Sequence, residues 1–393
     1  MSPLELAVVI SSAVVATATV VGAAIWTWRL GPLARRTATP LDRGARPWPR
    51  VSIIVPARNE EDNLPALLAS LKALDPAPHE IIIVDDHSTD ATGAIARAAG
   101  VRVTTPEPLP PGWMGKPWAC KHGASVATGD LLLFTDADTV HAPGSLARAV
   151  ATLEAEQADL VSAVPSHLAV RPWERAQGAY QLMLLVACRA GADTSGDTGA
   201  RRFAIGQYLM FRREAYDRIG GHDGARDRVA EDLELARMIT ARGGRYALAV
   251  APDLVAVRMY PEGPRSFVRG WRRSFRDGME SAGKGGVAEM IAVVGWLCGV
   301  PLAALGSAIV GPLWLTLAWL GVALATGAEV ARRQRLVGRL PWWGAFAYPV
   351  AAAAFVFISV AAAIDHARRK PIHWRGRAIA PIAPPPERST EAR

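Results

Sequence analysis

The sequence predicts an α/β fold, with a mostly parallel sheet in one central domain and transmembrane helices at both ends of the chain. Three observations predict it. Apolar β-like runs alternate with helix-like segments from residue 51 to residue 258. These runs are rich in Val, Ile and Leu without strict alternation, as in strands buried on both faces. Long apolar segments lie near both ends of the 393-residue chain.

The first apolar segment is predicted to be a retained transmembrane anchor, residues 1–30. Residues 4–28 are apolar apart from Glu5 and a few Ser and Thr, and this stretch can span the ~30 Å hydrocarbon core of a bilayer. A cleaved signal peptide would carry a basic segment before a shorter apolar core, whereas the first basic residue here is Arg29. Basic charge after the anchor predicts a cytoplasmic location for the domain that follows, on the inner face of the cell membrane.

The central domain is predicted to cover residues 48–280. Pro near the start and Gly after the end of several segments are the expected helix boundaries. Strands are predicted at residues 51–55, 81–84, 101–103, 131–135, 159–164, 246–250 and 254–258. Helices are predicted at residues 63–74, 90–99, 117–127, 143–156, 174–190 and 231–242. The helix at 174–190 is apolar enough to be either a core helix or a helix lying on the membrane interface.

A second membrane region of two to three spans is predicted at residues 287–366. Gly311-Pro312 divides residues 287–330 into two spans, and residues 341–364 form a third. This multi-pass arrangement does not determine on which side of the membrane the tail lies. Three spans after a cytoplasmic domain would place the tail outside, but its basic residues favour the inside.

Two resolutions of this conflict are possible from the sequence. Either residues 287–310 are partly interfacial or re-entrant, or one loop breaks the charge rule. The tail, residues 367–393, is predicted to be basic and partly disordered, with the disorder in residues 381–393.

Composition excludes some functional classes. The net charge is +8 and 50% of the residues are hydrophobic. Many Arg residues flank apolar stretches, which favours anionic lipid head groups over nucleic acid as the partner. The cysteines Cys120, Cys188 and Cys298 are far apart, so they indicate neither a zinc site nor a disulfide framework.

Paired carboxylates follow two of the predicted strands. Asp85 and Asp86 end the strand at 81–84, and Ser88 or Asp90 can cap the next helix. The alternatives for this motif are capping, which needs only one such residue, and hydrogen bonding to the base or ribose of a nucleotide. Asp136 and Asp138 follow the strand at 131–135, and residues at i and i+2 of an extended segment point to the same side. The second pair is either an Asp-rich turn or a site for a divalent cation, Mg²⁺ or Mn²⁺.

A third acidic pair, Glu231-Asp232, opens the helix at 231–242. Negative charge stabilises a helix N-terminus by about 0.3–1 kcal/mol. The alternative is a general base, which would remove a proton from an attacking alcohol.

Two basic motifs have the composition of anion sites. Lys116, in the loop GWMGKPWACKHG before a helix, suits a diphosphate, and the alternative is an ordinary solvated lysine. Trp271, Arg272 and Arg273 lie in RGWRRSFRDG, directly before the second membrane region. This segment is either a basic helix on anionic lipid or a clamp on a leaving diphosphate.

Four motifs occur in a recognisable order: PARNEE, VDDHSTD, TDADT and EDLELA. Together they resemble the GT-A fold of the inverting family-2 glycosyltransferases, over roughly residues 48–280. The tracts PPGWMGKPWAC, GQYLMFRREAY and GGHDGARDRVAEDLELAR are similar to the membrane-bound branch near the carotenoid, hopanoid and ceramide glycosyltransferases.

The resemblance implies that the donor is a nucleotide sugar in which the sugar is linked to UDP. It also implies roles for the acidic residues. Asp136 and Asp138 would hold the metal as a DxD motif, and Asp232, beside Glu231, would be the catalytic base. The residues that would bind the nucleotide are Pro56, Glu60, Asp85, Asp86, Lys116 and Asp136. Trp271, Arg272 and Arg273 would lie at the diphosphate and acceptor region.

The implied reaction is single sugar transfer to a hydroxyl or carboxyl of a lipid acceptor. The family's processive polysaccharide synthases usually carry QxxRW, and the corresponding RGWRRSF has no such Gln and a displaced Trp. The alternatives are a polyprenyl-phosphate or polysaccharide glycosyltransferase on the same fold, and a catalytically inactive membrane scaffold. The sequence does not indicate the sugar, the acceptor or the oligomeric state.

Overall fold

A central α/β domain and a set of long apolar helices make up the protein. The computed structural model describes residues 3–35, 47–190, 203–228, 230–250, 254–368, 372–374 and 377–379. The strands are β1 (Val51–Ala57), β2 (Glu80–Asp85), β3 (Arg102–Thr104), β4 (Leu131–Phe134), β5 (Thr139–His141), β6 (Leu160–Val164), β7 (Ser166–His167), β8 (Leu209–Arg212), β9 (Tyr246–Val250), β10 (Val255–Val257), β11 (Ile372–Trp374) and β12 (Arg377–Ile379). The helices are α1 (Pro3–Arg35), α2 (Leu64–Lys72), α3 (Thr92–Ala98), α4 (Gly115–Val126), α5 (Ser145–Ala155), α6 (Gln177–Ala187), α7 (Arg213–Arg218), α8 (Glu231–Ala241), α9 (Pro264–Val310), α10 (Leu313–Gln334) and α11 (Tyr348–Ala367).

The main sheet has seven strands in the order β3-β2-β1-β4-β8-β6-β9. Strand β1 is parallel to both β2 and β4, so the carboxyl ends of these three strands lie at one edge. Strand β8 is antiparallel to its neighbours β4 and β6. The predicted α/β class with a mostly parallel sheet is confirmed, with β8 as the exception.

The predicted strands and helices of the domain all occur, with ends shifted by a few residues. The sequence did not predict β5, β7, β8 or α7. Each of these elements is only two to six residues long, too short to show a hydrophobic period. Strands β5 and β7 pair with β10 in a small second sheet.

Helix α6 joins the α/β domain to the apolar helices. Ten of its eleven residues are buried, and Tyr180, Leu185 and Val186 lie in one hydrophobic core with residues of α1, α9, α10 and α11. Of the two alternatives for this segment, the structure therefore has the core helix.

Within the part of the chain that the structure describes, four helical segments are long and apolar enough to cross a membrane: Pro3–Leu33, Gly283–Val310, Leu313–Gln334 and Trp342–Ala367. The predicted division at Gly311-Pro312 is present, since α9 ends at Val310 and α10 begins at Leu313. Helix α9 is longer than predicted, because it begins in the α/β domain and continues past a non-helical residue, Gly283 (φ 64°). The disorder expected for residues 381–393 concerns a segment outside the described residues.

Candidate active site

A large cleft lies at the carboxyl ends of β1, β2 and β4. Its volume is about 2230 Å³, and eleven of the twelve site residues that the sequence predicted line it. They are Pro56, Glu60, Asp86, Lys116, Asp136, Asp138, Glu231, Asp232, Trp271, Arg272 and Arg273. Open α/β sheets bind ligands at this edge, where loops leave the strand ends.

The adjacent residues Asp85 and Asp86 have different surroundings. Asp85 is the predicted residue that does not line the cleft, and its Oδ1 accepts a hydrogen bond from the backbone N–H of Ser88 at 3.0 Å. Asp86 lines the cleft and is 4% exposed. The guanidinium of Arg58 lies 3.8 Å from its carboxylate and donates a 2.6 Å hydrogen bond to its backbone carbonyl. Asp85 thus shapes the loop, and Asp86 presents its acid to the cleft.

The loop after β1 brings Glu60 to the same cleft. Its backbone N–H donates to Oγ1 of Thr92 at 2.8 Å, and its Oε2 accepts from Nδ2 of Asn63 at 2.8 Å. These two hydrogen bonds fix a carboxylate that is only 9% exposed. Pro56, near the end of β1, lines the neighbouring wall.

Asp136 and Asp138 follow β4 on a turn that the hydroxyl groups of two threonines hold in place. Oγ1 of Thr139 donates to the backbone carbonyl of Asp136 at 2.8 Å, and Oγ1 of Thr135 donates to the carbonyl of Gln207, also at 2.8 Å. The buried Oδ1 atom of Asp138 has no hydrogen-bond partner among the described residues. Burial, followed by the negative charges of Asp136 and Glu60, raises the pKa of Asp138 to about 7.

Lys116 connects two of the acidic motifs. Its Nζ lies 2.7 Å from Oδ1 of Asp136 and 2.8 Å from Oε1 of Glu231. Burial by itself would lower the pKa of Lys116, but the two carboxylates outweigh it and raise the pKa well above its ordinary value. The lysine is therefore a fixed positive charge, and of its two predicted alternatives the solvated one does not apply.

Asp232 lies in the first turn of α8 and is held by backbone N–H groups. Its Oδ2 accepts from the N–H of Gly206 at 2.7 Å, and its Oδ1 accepts from the N–H of Leu233 at 2.8 Å. Burial, and then the charge of Glu231, raises the pKa of Asp232 to about 7. A carboxylate with this pKa can accept and release a proton near neutral pH.

The wall of the cleft opposite these acids belongs to α9. Trp271 is 2% exposed, packs against Tyr180 and Phe275, and donates from Nε1 to Oε1 of Gln177 at 3.0 Å. Its ring is therefore part of the core as well as the cleft wall. Arg272 forms an ion pair with Asp365 of α11, and Asp365 also lines the cleft.

Sequence reasoning missed Gly206 as a site residue. A side-chain Cβ at this position would lie 2.9 Å from Nζ of Lys116 and 3.2 Å from Oε1 of Glu231. A larger residue here would displace the ammonium group of Lys116, because the backbone approaches the charged cluster closely. The tract GQYLMFRREAY begins with this residue, its single glycine, but nothing in the tract indicates a close approach to charged side chains.

The donor atoms fit a divalent cation completed by ligands from a substrate. No group of three or more metal-ligating side chains converges among the described residues. Asp136 and Asp138 offer hard carboxylate oxygens, one of them buried without a partner. Magnesium commonly binds through one or two carboxylates together with substrate phosphates and water.

Comparison with known proteins extends these observations. A family model described as glycosyl transferase family 2 matches residues 52–220. The 4,4'-diaponeurosporenoate glycosyltransferase of Staphylococcus haemolyticus (strain JCSC1435) is 30% identical over 237 residues, covering 59% of this chain and 62% of that protein, which is less than two thirds of its length. The enzyme of the same name from Staphylococcus aureus (strain MRSA252) is 31% identical over 262 residues, covering 65% of this chain and 68% of that protein.

A solved structure shares the fold over almost the whole chain. The mannosyltransferase PcManGT from Pyrobaculum calidifontis, in complex with GDP-Man and Mn²⁺, superposes with a TM-score of 0.55 at 22% identity. The match covers 93% of this chain and 99% of that one. The expected GT-A fold, with apolar helices at both ends of the chain, is confirmed.

Proposed function

The chain belongs to glycosyltransferase family 2, and we propose that it is a membrane-bound inverting enzyme that transfers a sugar from a UDP-sugar to a hydroxyl or carboxyl group of a lipid. One observation carries the proposal. The carboxylate of Asp232, held by two backbone N–H groups, shares one cleft with Asp86, Lys116 and the Asp136/Asp138 pair. The presence of Asp86, Asp136, Asp138 and Asp232 in one cleft supports an active enzyme over an inactive scaffold.

The donor half of the cleft offers one set of residues for the nucleoside and another for the diphosphate. Asp86, with Pro56 and Glu60 beside it, would hold the nucleoside through hydrogen bonds from its base or ribose hydroxyl groups. Lys116, together with Arg272 and Arg273, supplies positive charge for the diphosphate. The Pyrobaculum neighbour is described with a GDP-sugar, so the nucleotide base is the first property of the donor to test.

A divalent cation, Mg²⁺ or Mn²⁺, would be held by Asp136 and Asp138. When bound, the cation would neutralise the negative charge on a diphosphate leaving group. The unpartnered Oδ1 of Asp138 supports this assignment, since a buried carboxylate oxygen without a hydrogen bond is costly unless it meets a cation.

Asp232 would act as the general base. With a pKa of about 7 it is ionised in a large fraction of molecules at neutral pH, and it then takes the proton of an acceptor hydroxyl. An acceptor carboxyl group is already ionised at neutral pH and needs no base, so Asp232 would contact it only in its protonated form, as a hydrogen-bond donor. The acceptor oxygen attacks the anomeric carbon as the sugar–phosphate bond breaks, which inverts the configuration. This single displacement requires no protein nucleophile, unlike the reaction of a retaining glycosidase.

A lipid acceptor is supported by the core shared between the cleft domain and the apolar helices. Leu184 and Cys188 line the cleft, and both belong to the α6 segment that packs against these helices. The curated relatives carry names that refer to a carotenoid acid. We place the catalytic domain, residues 48–280, on the cytoplasmic face of the cell membrane between the N-terminal anchor and residues 287–366, because basic residues follow α1.

The test is transfer of label from a nucleotide sugar to the organic phase. Full-length protein in lipid nanodiscs, with a total lipid extract, would be given radiolabelled UDP-hexoses and GDP-mannose in the presence of Mn²⁺ or EDTA. We expect a UDP-sugar to label a glycolipid in the organic phase when Mn²⁺ is present, and not in EDTA. Treatment of this glycolipid with alkali then characterises the linkage of the sugar. Label in a water-soluble polymer would favour a polysaccharide synthase, and no transfer from any donor would contradict the proposal.

A further inference from the structure

Helix α11 is apolar and long enough to cross a bilayer. Its 20 residues extend about 30 Å at a rise of about 1.5 Å per residue. If α11 crossed the membrane, its two ends would lie on opposite sides, and only one of them could reach the α/β domain. The contacts at each end therefore decide whether it crosses.

The segment that leads into α11 contacts the α/β domain. The backbone N–H of His167 in β7 donates to the carbonyl of Val337 at 2.8 Å, just after α10 ends. The guanidinium of Arg175 lies over the ring of Trp343, 4.4 Å from its centroid. The chain has thus returned to the domain before α11 begins at Tyr348.

The other end of α11 also reaches the domain. Asp365, in its last turn, forms an ion pair with Arg272. Both residues line the cleft that contains Lys116 and Asp136. Both ends of α11 are therefore on the same side of the molecule as the candidate active site.

Between its ends, one face of α11 packs on the domain and the other is exposed. Phe355 lies against Tyr180 of α6 and Phe275 of α9, with ring centroids 5.4 and 4.7 Å apart. The opposite face consists of apolar side chains that are 44–73% exposed, at spacings of three, four and seven residues that place them on one side of the helix. They are Val350, Phe357, Val360 and Ile364. A contiguous apolar face of this kind needs an apolar partner.

We infer that α11 does not cross the membrane but lies along its surface, with this apolar face in the boundary between lipid head groups and acyl chains. Three segments then cross: α1, the part of α9 after Gly283, and α10. The partner of the exposed face is the lipid surface itself. The helices that share a hydrophobic core with α11 are long enough to span a membrane, so they hold α11 close to the lipid. The inference concerns topology and does not depend on the reaction.

Two consequences follow. The exposed Arg368, directly after α11, lies on the same side as the α/β domain, which agrees with the charge rule that three C-terminal spans would break. The cleft is also held at the lipid surface, because the same helix that lies on the lipid ends at Asp365 in the cleft wall.

Cysteine labelling of the full-length protein in sealed inside-out and right-side-out vesicles tests the side of the tail. The reporter is Arg368→Cys. Glu156→Cys, on the exposed surface of the domain, marks the domain side, and Leu313→Cys, 72% exposed at the start of α10, marks the far side. The unmodified chain gives the background, because Cys120 and Cys188 are buried and Cys298 is half-buried.

With a membrane-impermeant maleimide, we expect Arg368→Cys to react in the same vesicles as Glu156→Cys. Reaction in the same vesicles as Leu313→Cys would overturn the inference. Each variant replaces an exposed side chain, and its thermal melting compared with the unmodified chain checks that it is folded.

Depth measurement tests the orientation of the helix independently. Spin labels at Val350→Cys, Phe357→Cys and Ile364→Cys report their immersion depth through relaxation by oxygen and by a water-soluble nickel complex. A helix lying along the surface places all three at similar shallow depths. A crossing helix places Phe357 deepest and the outer two near opposite faces, up to about 20 Å apart along the membrane normal, and that result would overturn the inference.

Discussion

The ammonium group of Lys116 lies 2.8 Å from the carboxylate of Glu231, and it thereby connects the start of α4 to the start of α8. The same nitrogen contacts Asp136 at 2.7 Å. One half-buried positive charge thus holds together the turn proposed to bind the cation and the helix that carries the proposed base. Neither contact follows from spacing in the sequence.

Replacement of Lys116 by methionine should disrupt both the site and the fold. Asp136 and Glu231 would lose a shared half-buried partner, so we expect the free energy of unfolding to fall by about 2 kcal/mol and kcat/KM to fall roughly 100-fold or more. Denaturant unfolding and transfer assays measure these quantities. The matched control is Lys121→Met, which removes an exposed ion pair with Asp223 and should change stability by less than about 1 kcal/mol. Equal effects of the two substitutions would contradict the role of Lys116.

Asp138→Ala should remove the dependence of donor binding on the cation. We expect the Kd for a UDP-sugar in Mn²⁺ to rise by roughly 100-fold, to the value that the unmodified protein has in EDTA, because the cation would lose a ligand. Titration calorimetry measures both values. Asp130→Ala is the control, since Asp130 pairs with Arg50 on the surface. A donor affinity that is unchanged by EDTA in the unmodified protein would exclude the cation site.

Asp138→Asn should stabilise the protein without the cation, in a pH-dependent way. The pKa of Asp138 is about 7 in the folded protein and about 3.9 in an unfolded chain, so the folded state binds the proton more tightly. Its destabilising contribution therefore grows as the pH rises from about 4 to 7 and is complete above pH 7. In EDTA we expect the variant to melt roughly 3–6 °C higher at pH 8 and close to the unmodified protein at pH 4.5. The same shift in Tm at both pH values would contradict this assignment.

Gly206→Ala should impair transfer more than folding. The added methyl group would lie 2.9 Å from Nζ of Lys116 and 3.2 Å from Oε1 of Glu231, so the ammonium group would shift and its ion pairs with Asp136 and Glu231 would lose their alignment. We expect kcat to fall by roughly 10–100-fold with a change in stability of about 1 kcal/mol or less. Gly144→Ala is the control, because a Cβ there meets nothing within 4 Å. Unchanged kcat in Gly206→Ala would show that the close approach has no role in the reaction.

Sequence alone was sufficient where the signal was local. The apolar runs ending at Asp86 and Asp136 located the strands and their common edge, since strand ends and paired carboxylates are adjacent in the chain. Four-residue β8 carries no such signal, and its antiparallel insertion between β4 and β6 depends on tertiary pairing.

The contacts that complete the site join distant parts of the chain. The approach of Gly206 to Asp232 and the ion pair of Arg272 with Asp365 depend on where whole elements pack. Hydropathy identified α11 as apolar but could not distinguish a crossing helix from one that lies along the domain, because both expose an apolar face to lipid.

The most direct test of the central claim is single-turnover transfer by Asp232→Asn, with donor affinity measured on the same preparation. Asparagine keeps the size of the side chain and one acceptor, for the N–H of Gly206, but it loses the acceptor for the N–H of Leu233 and cannot take a proton at neutral pH. With a hydroxyl-bearing lipid acceptor, we expect a UDP-sugar Kd within about threefold of the unmodified protein and transfer slowed by roughly 10²–10⁴-fold. Transfer at close to the unmodified rate, with donor affinity intact, would contradict the assignment of Asp232 as the catalytic base.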